Sequence, residues 1–213
     1  MKISLTIDTE EDLHSGNFIS LEKGIPRLLK ILDQHKLKVT FFVPALLLEK
    51  FPDYFLRLRE KGHEIAIHCY EHERFDELSF SKREKRIKDS IKIYKKIFRE
   101  NPRGFRAPQH SIDNLTLKIL TEQSFKYDSS YTPFNILQLL FFPKRSKLWL
   151  EGFFKPRKII RMTNEFYEIP TSSFIIPFVS LPLRVLPWPL LRPYLFFVKL
   201  TNRDQADALA DAN

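Results

Sequence analysis

Two imidazoles four residues apart, His68 and His72, are the first candidates for chemistry in this chain. On a helix that spacing puts both rings on one face, where they can chelate a single ion. Taken alone, it fits two unrelated histidines equally well. Their context sharpens the reading. The pair directly follows the short strand-like segment His63-Glu64-Ile65-Ala66-Ile67, just as the acidic run Asp8-Thr9-Glu10-Glu11-Asp12 directly follows the alternating residues 2 to 7. In parallel α/β folds, functional sites gather at the C-terminal ends of strands. Asp8 and Glu10 lie two apart, so on a continuing strand they share a face, and one can bind metal while the other works as a base. Two histidines and one carboxylate leave a position for water, the usual arrangement of a hydrolytic zinc site. Without the histidines, the acidic run would read as a surface loop.

Composition narrows the field from the other side. The five glycines of the 213 residues are too scattered to build a dinucleotide fingerprint or a Walker loop. A lone Cys69 excludes an intrachain disulfide and a thiolate zinc cluster, so a metal site must rest on histidine and carboxylate. All six histidines fall within the first 110 residues. The net charge of +9 suits an anionic partner or a solvated basic surface, and no nucleic-acid motif is present, so no nucleic-acid partner is expected. The first residues carry no secretory pattern, which places the expected location in the cytoplasm or at the cytoplasmic face of the membrane.

The elements that must position these residues alternate. Strands are predicted over residues 2–8, 39–43, 63–67, 104–107, 125–128 and 166–170. Helices are predicted from Ser20 to about His35 with Ser20 as N-cap, from Pro52 to Lys61 closed by Gly62, from Ser81 to about Arg99 with Ser81 and Glu84 as a capping box, and from Leu115 to Glu122 capped by Asp113 or Asn114. Such repetition argues for parallel strands with helical crossovers, in a barrel or an open sheet. Residues 1–200 read as one domain. The proline-broken stretch beyond Ile169 is too short and interrupted to span a bilayer and is expected to pack as an irregular apolar region, with peripheral membrane contact left open. The alanine-rich residues 201–213 are expected to be a disordered tail.

At this point the chain resembles a known family. Thr6-Ile7-Asp8-Thr9-Glu10, Thr40-Phe41-Phe42-Val43, Gly62-His63-Glu64-Ile65 leading to His68-x-x-x-His72, Arg106-Ala107-Pro108 and Tyr127-Asp128-Ser129-Ser130 occur in the order seen in the polysaccharide deacetylases, the NodB homology domain of carbohydrate esterase family 4. The resemblance covers about residues 2 to 172. It implies a distorted (β/α) barrel with fewer than eight regular strands. It also implies a metal-dependent hydrolase that removes N-acetyl groups from a glycan or a lipid-linked sugar, with zinc or another divalent cation. Asp8 matches the catalytic base, Glu10, His68 and His72 the metal ligands, and Arg106 the arginine that keeps the base ionised. Pro108 matches a residue of the groove wall, and Asp128 and Ser129 a groove-floor motif.

Two departures accompany the resemblance. Many members carry adjacent aspartates where this chain has the spaced Asp8-x-Glu10. The family's late histidine, which protonates the leaving amine, has no counterpart, since no histidine follows His110. His110 itself is outside the motif, and a site role for it stays open. A C-terminally incomplete domain, another proton source, or a weak or inactive sugar-binding relative would each account for the missing histidine.

Overall fold

The computed structural model describes residues 4–12, 17–133, 154–156 and 158–171. The Pro-rich stretch beyond residue 171 and the alanine-rich tail lie outside them. Contacts divide the chain into two compact units, Ser4–Asp128 and a second comprising Met1–Ile3 with Ser129–Asn213.

The first unit carries the alternation read from the sequence. Strands β1 (Thr6–Asp8), β2 (Thr40–Val43), β3 (Glu64–Ile67), β4 (Gly104–Phe105) and β5 (Tyr127–Asp128) pair in parallel in sequence order. An order without reversal is the winding of a barrel wall, not of a doubly wound sheet, whose order turns back at a switch point. All four residues of β2 are buried, as expected of a parallel strand covered on both faces. The connections are α1 (Ile25–Gln34), α2 (Ala45–Lys50) with α3 (Pro52–Glu60), α4 (Phe80–Phe98) and α5 (Asn114–Glu122). Phe41, Phe42, Phe55, Phe75, Phe105 and Phe125 are among the largest side chains in the core. The rings of Phe75, Phe105 and Phe125 meet edge to face at 5.5 and 5.9 Å.

Several boundaries differ from expectation for identifiable reasons. The entry to α1 is a wide π-type turn, Ser20–Gly24, and its first amides are satisfied by Asp12, which accepts from Ile19 N at 2.6 Å and from Ser20 N at 3.2 Å. The capping carboxylate therefore comes from the acidic run and not from Ser20. Helix α4 starts at Phe80 with Ser79 at its N-cap, so Ser81 is already helical and cannot head the expected capping box. Helix α2, which the sequence reading left out, fills the space between Pro44 and Pro52. At α5 the alternatives resolve: Asp113 caps, accepting from Thr116 N at 2.9 Å. Gly62 closes α3 with φ +84°, a conformation that favours glycine.

In the second unit, β6 (Ile160–Arg161) and β7 (Tyr167–Glu168) form an antiparallel pair. Buried Glu168 accepts from Tyr131 N at 3.0 Å, and Thr171 N donates to the Tyr131 carbonyl at 2.9 Å. No helix among the described residues is long and apolar enough to cross a membrane.

Two outcomes follow from this packing. A Cβ at Gly104 would collide with the outer end of the Tyr127 ring, which must shift to admit it, so Gly104→Ala should lower stability by about 1–3 kcal/mol in urea unfolding. Buried Arg83 bonds the Asp113 carboxylate and Thr116 Oγ1. Burial pushes the Asp113 pKa up, but the bonds from Arg83 and Thr116 prevail and hold it below its ordinary 3.8. A depressed carboxylate stabilises the fold above its unfolded pKa, and that contribution disappears as pH falls through the folded value. The stability gap between wild type and Asp113→Asn should accordingly be larger at about pH 5 than at about pH 3.

Candidate active site

The segment after β3 is a tight turn and not a helix. Cys69 and His72 both have φ of 62°, in the left-handed region. This corrects the one-face helical reading of His68-x-x-x-His72: the rings meet because two left-handed residues fold the chain back, with centroids 5.5 Å apart. The turn is held from within. Cys69 Sγ accepts the His72 N–H at 2.9 Å, and Glu73 Oε2 accepts the Glu71 N–H at 2.8 Å. It is held from below as well, where Ala45 N donates to the Cys69 carbonyl and Leu46 N to the Tyr70 carbonyl. Cys69 is fully buried, and burial, followed by the charge of Glu73, pushes its thiol far above the usual range.

The turn delivers two imidazoles to a carboxylate from the neighbouring strand end. Thr9 N still bonds the Phe42 carbonyl at 2.8 Å, so the β1–β2 ladder runs one residue past Asp8 and carries Glu10 forward. Glu10 Oε2 contacts His72 Nε2. One ligand atom each from Glu10, His68 and His72 lies within 4.8 Å of the others. His68 Nδ1 lies 2.8 Å from the Arg106 carbonyl. A carbonyl can only accept, so Nδ1 carries the hydrogen and Nε2 keeps its lone pair free for an ion. Burial lowers the His68 pKa further than Asp8 and the Arg106 carbonyl raise it, which keeps the ring neutral. Two imidazole nitrogens and one carboxylate oxygen, with one ring already oriented by its second nitrogen, form a donor set able to hold a divalent cation.

Asp8 faces a different partner. Its Oδ1 accepts from Arg106 Nη1 at 2.7 Å, and the same nitrogen reaches Thr6 Oγ1 at 3.0 Å. Arg106 is only 4% exposed and stacks on Phe42, with Cζ 4.0 Å from the ring centre. Burial pushes the Asp8 pKa up, yet electrostatic attraction led by the Arg106 guanidinium outweighs it and holds the carboxyl below its ordinary value. Asp8 is thus an ionised acceptor beside, but not within, the cluster of three ligands.

The remaining residues named from the sequence fall into separate places. Pro108 is buried and opens the short turn Pro108–His110, in which Ser111 Oγ donates to the Pro108 carbonyl at 2.8 Å. His110, left open by the sequence, lies near enough to Asp8 to act on it electrostatically. It follows Gln109 in the left-handed region, with φ of 60° and 54°. Asp128 is buried opposite Phe105 in the β4–β5 register, whereas Gly104 faces Tyr127. By strand alternation Asp128 therefore shares the face of Phe105, and Arg106 that of Gly104. Ser129 opens the second unit and is buried there.

A family model described as polysaccharide deacetylase matches residues 2–127. The chain belongs to the polysaccharide deacetylase family. It is 31% identical over 134 residues to a peptidoglycan deacetylase of Helicobacter pylori, covering 61% of this chain and 45% of that protein. It is 28% identical over 174 residues to a peptidoglycan deacetylase-like protein of Gibberella zeae, covering 76% of this chain and 50% of that one. The chain thus spans about half the length of these curated relatives. Among solved structures, a putative polysaccharide deacetylase from Mycobacterium smegmatis superposes with a TM-score of 0.61 at 23% identity, over 92% of this chain and 71% of that one. A family 4 carbohydrate esterase pseudoenzyme from Bacillus anthracis superposes at 0.51 with 18% identity, over 80% of this chain and 54% of that one.

Burial of the sole cysteine beneath the turn has a measurable consequence. Native protein should give no reaction with a thiol reagent such as DTNB, and denatured protein should give one thiol per chain.

Proposed function

We propose that this family member is a metal-dependent hydrolase that removes acetyl groups from N-acetylated sugars of a glycan, with peptidoglycan-type N-acetylglucosamine as the first substrate class to test. The observation that carries the reading is the convergence of Glu10, His68 and His72 beside an ionised, arginine-held Asp8. The names of the curated relatives support the substrate class, since they are peptidoglycan deacetylases. Zinc suits the donor set best, because two imidazoles and a carboxylate are ligands it commonly takes in hydrolytic sites.

A cation held by Glu10, His68 and His72 would supply Lewis-acid polarisation of the acetyl carbonyl and of a water molecule. The chain's own residues do the rest. Arg106 occupies Oδ1 of Asp8, so Oδ2 is the oxygen that accepts the proton released as water attacks the carbonyl carbon. The proton is then required by the departing amine, and the reaction balances as amide plus water giving acetate plus the protonated amine. The low pKa of Asp8 makes it a carboxylate at neutral pH, ready to accept without prior deprotonation. His68 holds its hydrogen on Nδ1 throughout, pinned by the Arg106 carbonyl.

Acetate release from N-acetylated oligosaccharides tests the proposal. Asp8→Asn should retain zinc and lose about a hundredfold or more of the turnover, while His68→Ala and His72→Ala should lose the metal itself. Undiminished turnover in Asp8→Asn would remove Asp8 from the mechanism. Glycan binding by wild type with no acetate release would favour a non-hydrolytic sugar-binding role.

A further inference from the structure

The turn that carries the two imidazoles is tied to helix α4 by a single arginine. Arg86 Nε lies 2.7 Å from Glu73 Oε1, and Nη2 lies 3.2 Å from Glu71 Oε2. The Arg86 Cζ atom is 4.3 Å from the centre of the Tyr70 ring. One side chain thus touches residues 70, 71 and 73, the three that surround the ligand His72. Among the other charges of α4, Arg83 reaches Asp113 and Lys96 reaches Glu49 of α2, whereas Lys88 pairs with Glu84 and Lys92 with Asp89 on the helix itself.

From Arg86 the contacts continue inward. The other oxygen of Glu73 accepts the Glu71 N–H at 2.8 Å and lies 3.8 Å from Cys69 Sγ, which in turn accepts the His72 N–H at 2.9 Å. A chain of contacts therefore runs from the helix to the backbone of His72. The Glu73 arm is the stronger one, because Arg86 and Glu73 side chains are 24% and 19% exposed whereas Glu71 is 58% exposed. At 2.7 Å the Arg86–Glu73 contact is an ion pair and not a well-aligned hydrogen bond, so charge and not angle defines it. Such a tie has work to do, since Cys69 and His72 both hold a left-handed backbone that non-glycine residues disfavour.

We propose that Arg86, through Glu73, is the positioning residue that locks the 69–73 turn and so presents His72 to the metal ion. The assignment rests on the metal reading of the site. Arg86 touches neither ion nor substrate; it acts by fixing where His72 sits before an ion arrives. In second-shell systems of this kind, loss of the supporting group weakens metal binding by about 10- to 100-fold.

The test measures zinc affinity by chelator competition in the full chain, with hydrogen exchange at the amides of residues 71 and 72 and unfolding of the metal-free protein recorded alongside. Arg86→Gln and Glu73→Gln should each weaken zinc about 10- to 100-fold and speed exchange at both amides. Their double variant should be no weaker than the worse single variant, and Arg86→Lys, which can pair with Glu73 but not also grip Glu71, should fall between. Lys88→Gln on the same helix should bind as wild type. Unchanged affinity and exchange in Glu73→Gln and Arg86→Gln, with zinc still lost in His72→Ala, would overturn the lock and leave the metal site standing. Losses that track only the unfolding midpoint and are not recovered by Arg86→Lys would overturn it too. Zinc bound as tightly by His72→Ala as by wild type would overturn the metal reading itself, and the lock with it.

Discussion

The organisation of the site depends on the burial of one guanidinium. At 4% exposure the Arg106 charge has left bulk water, and a buried cation is tolerated only when a partner neutralises it and its N–H groups are bonded. The Asp8 carboxylate neutralises it and shares Nη1 with the Thr6 hydroxyl, both from β1, and the Phe42 ring from β2 lies against the guanidinium face. The main chain of the same residue does two further jobs. Arg106 N donates to the Ile67 carbonyl at 3.0 Å, fixing the β3–β4 register, and its own carbonyl takes the His68 Nδ1 hydrogen. Sheet register, base position and ligand orientation are therefore one constraint. A slip of one residue in β4 would send the guanidinium to the other face and release all three.

From this constraint comes a division of labour among strand ends. The end of β1 and the residues just beyond it supply two carboxylates, and the arginine engages Asp8 while Glu10 reaches His72. β3 supplies one imidazole at its end and the other by a turn. The electrostatics are matched to the proposed roles. The arginine holds Asp8 ionised, and burial keeps His68 neutral, so the proposed base and the proposed ligand both stand in the protonation states that proton abstraction and cation binding require.

Much of this was legible in the sequence because it rests on short-range pattern. The apolar runs before Asp8 and His68 marked strand ends, and a two-residue offset between Asp8 and Glu10 is a statement about a strand face that the structure keeps through the Thr9–Phe42 bond. What escaped was set by tertiary context. Nothing in His-Cys-Tyr-Glu-His signals that Cys69 and His72 adopt left-handed backbone, since neither is glycine or asparagine, the residues that usually announce it. Ser20 and Ser81 looked like caps, but the amides at the first site went to Asp12 from an upstream loop and the second helix began one residue early. Arg86 read as one more cation on a solvated helix face, because its partners are 13 to 16 positions away in the chain. Asp128 lies in the matched motif, yet the β4–β5 register turns it to the face opposite Arg106, a distinction that spacing within one strand cannot make.

The central claim is that a left-handed turn brings two imidazoles and one carboxylate to a single ion while the cysteine inside that turn stays out of the coordination sphere. X-ray absorption fine structure of the zinc-loaded protein addresses it most directly. The account predicts two imidazoles in a nitrogen and oxygen shell at about 2.0–2.2 Å and no sulfur scatterer. A sulfur shell at about 2.3 Å, or a single imidazole, would contradict it.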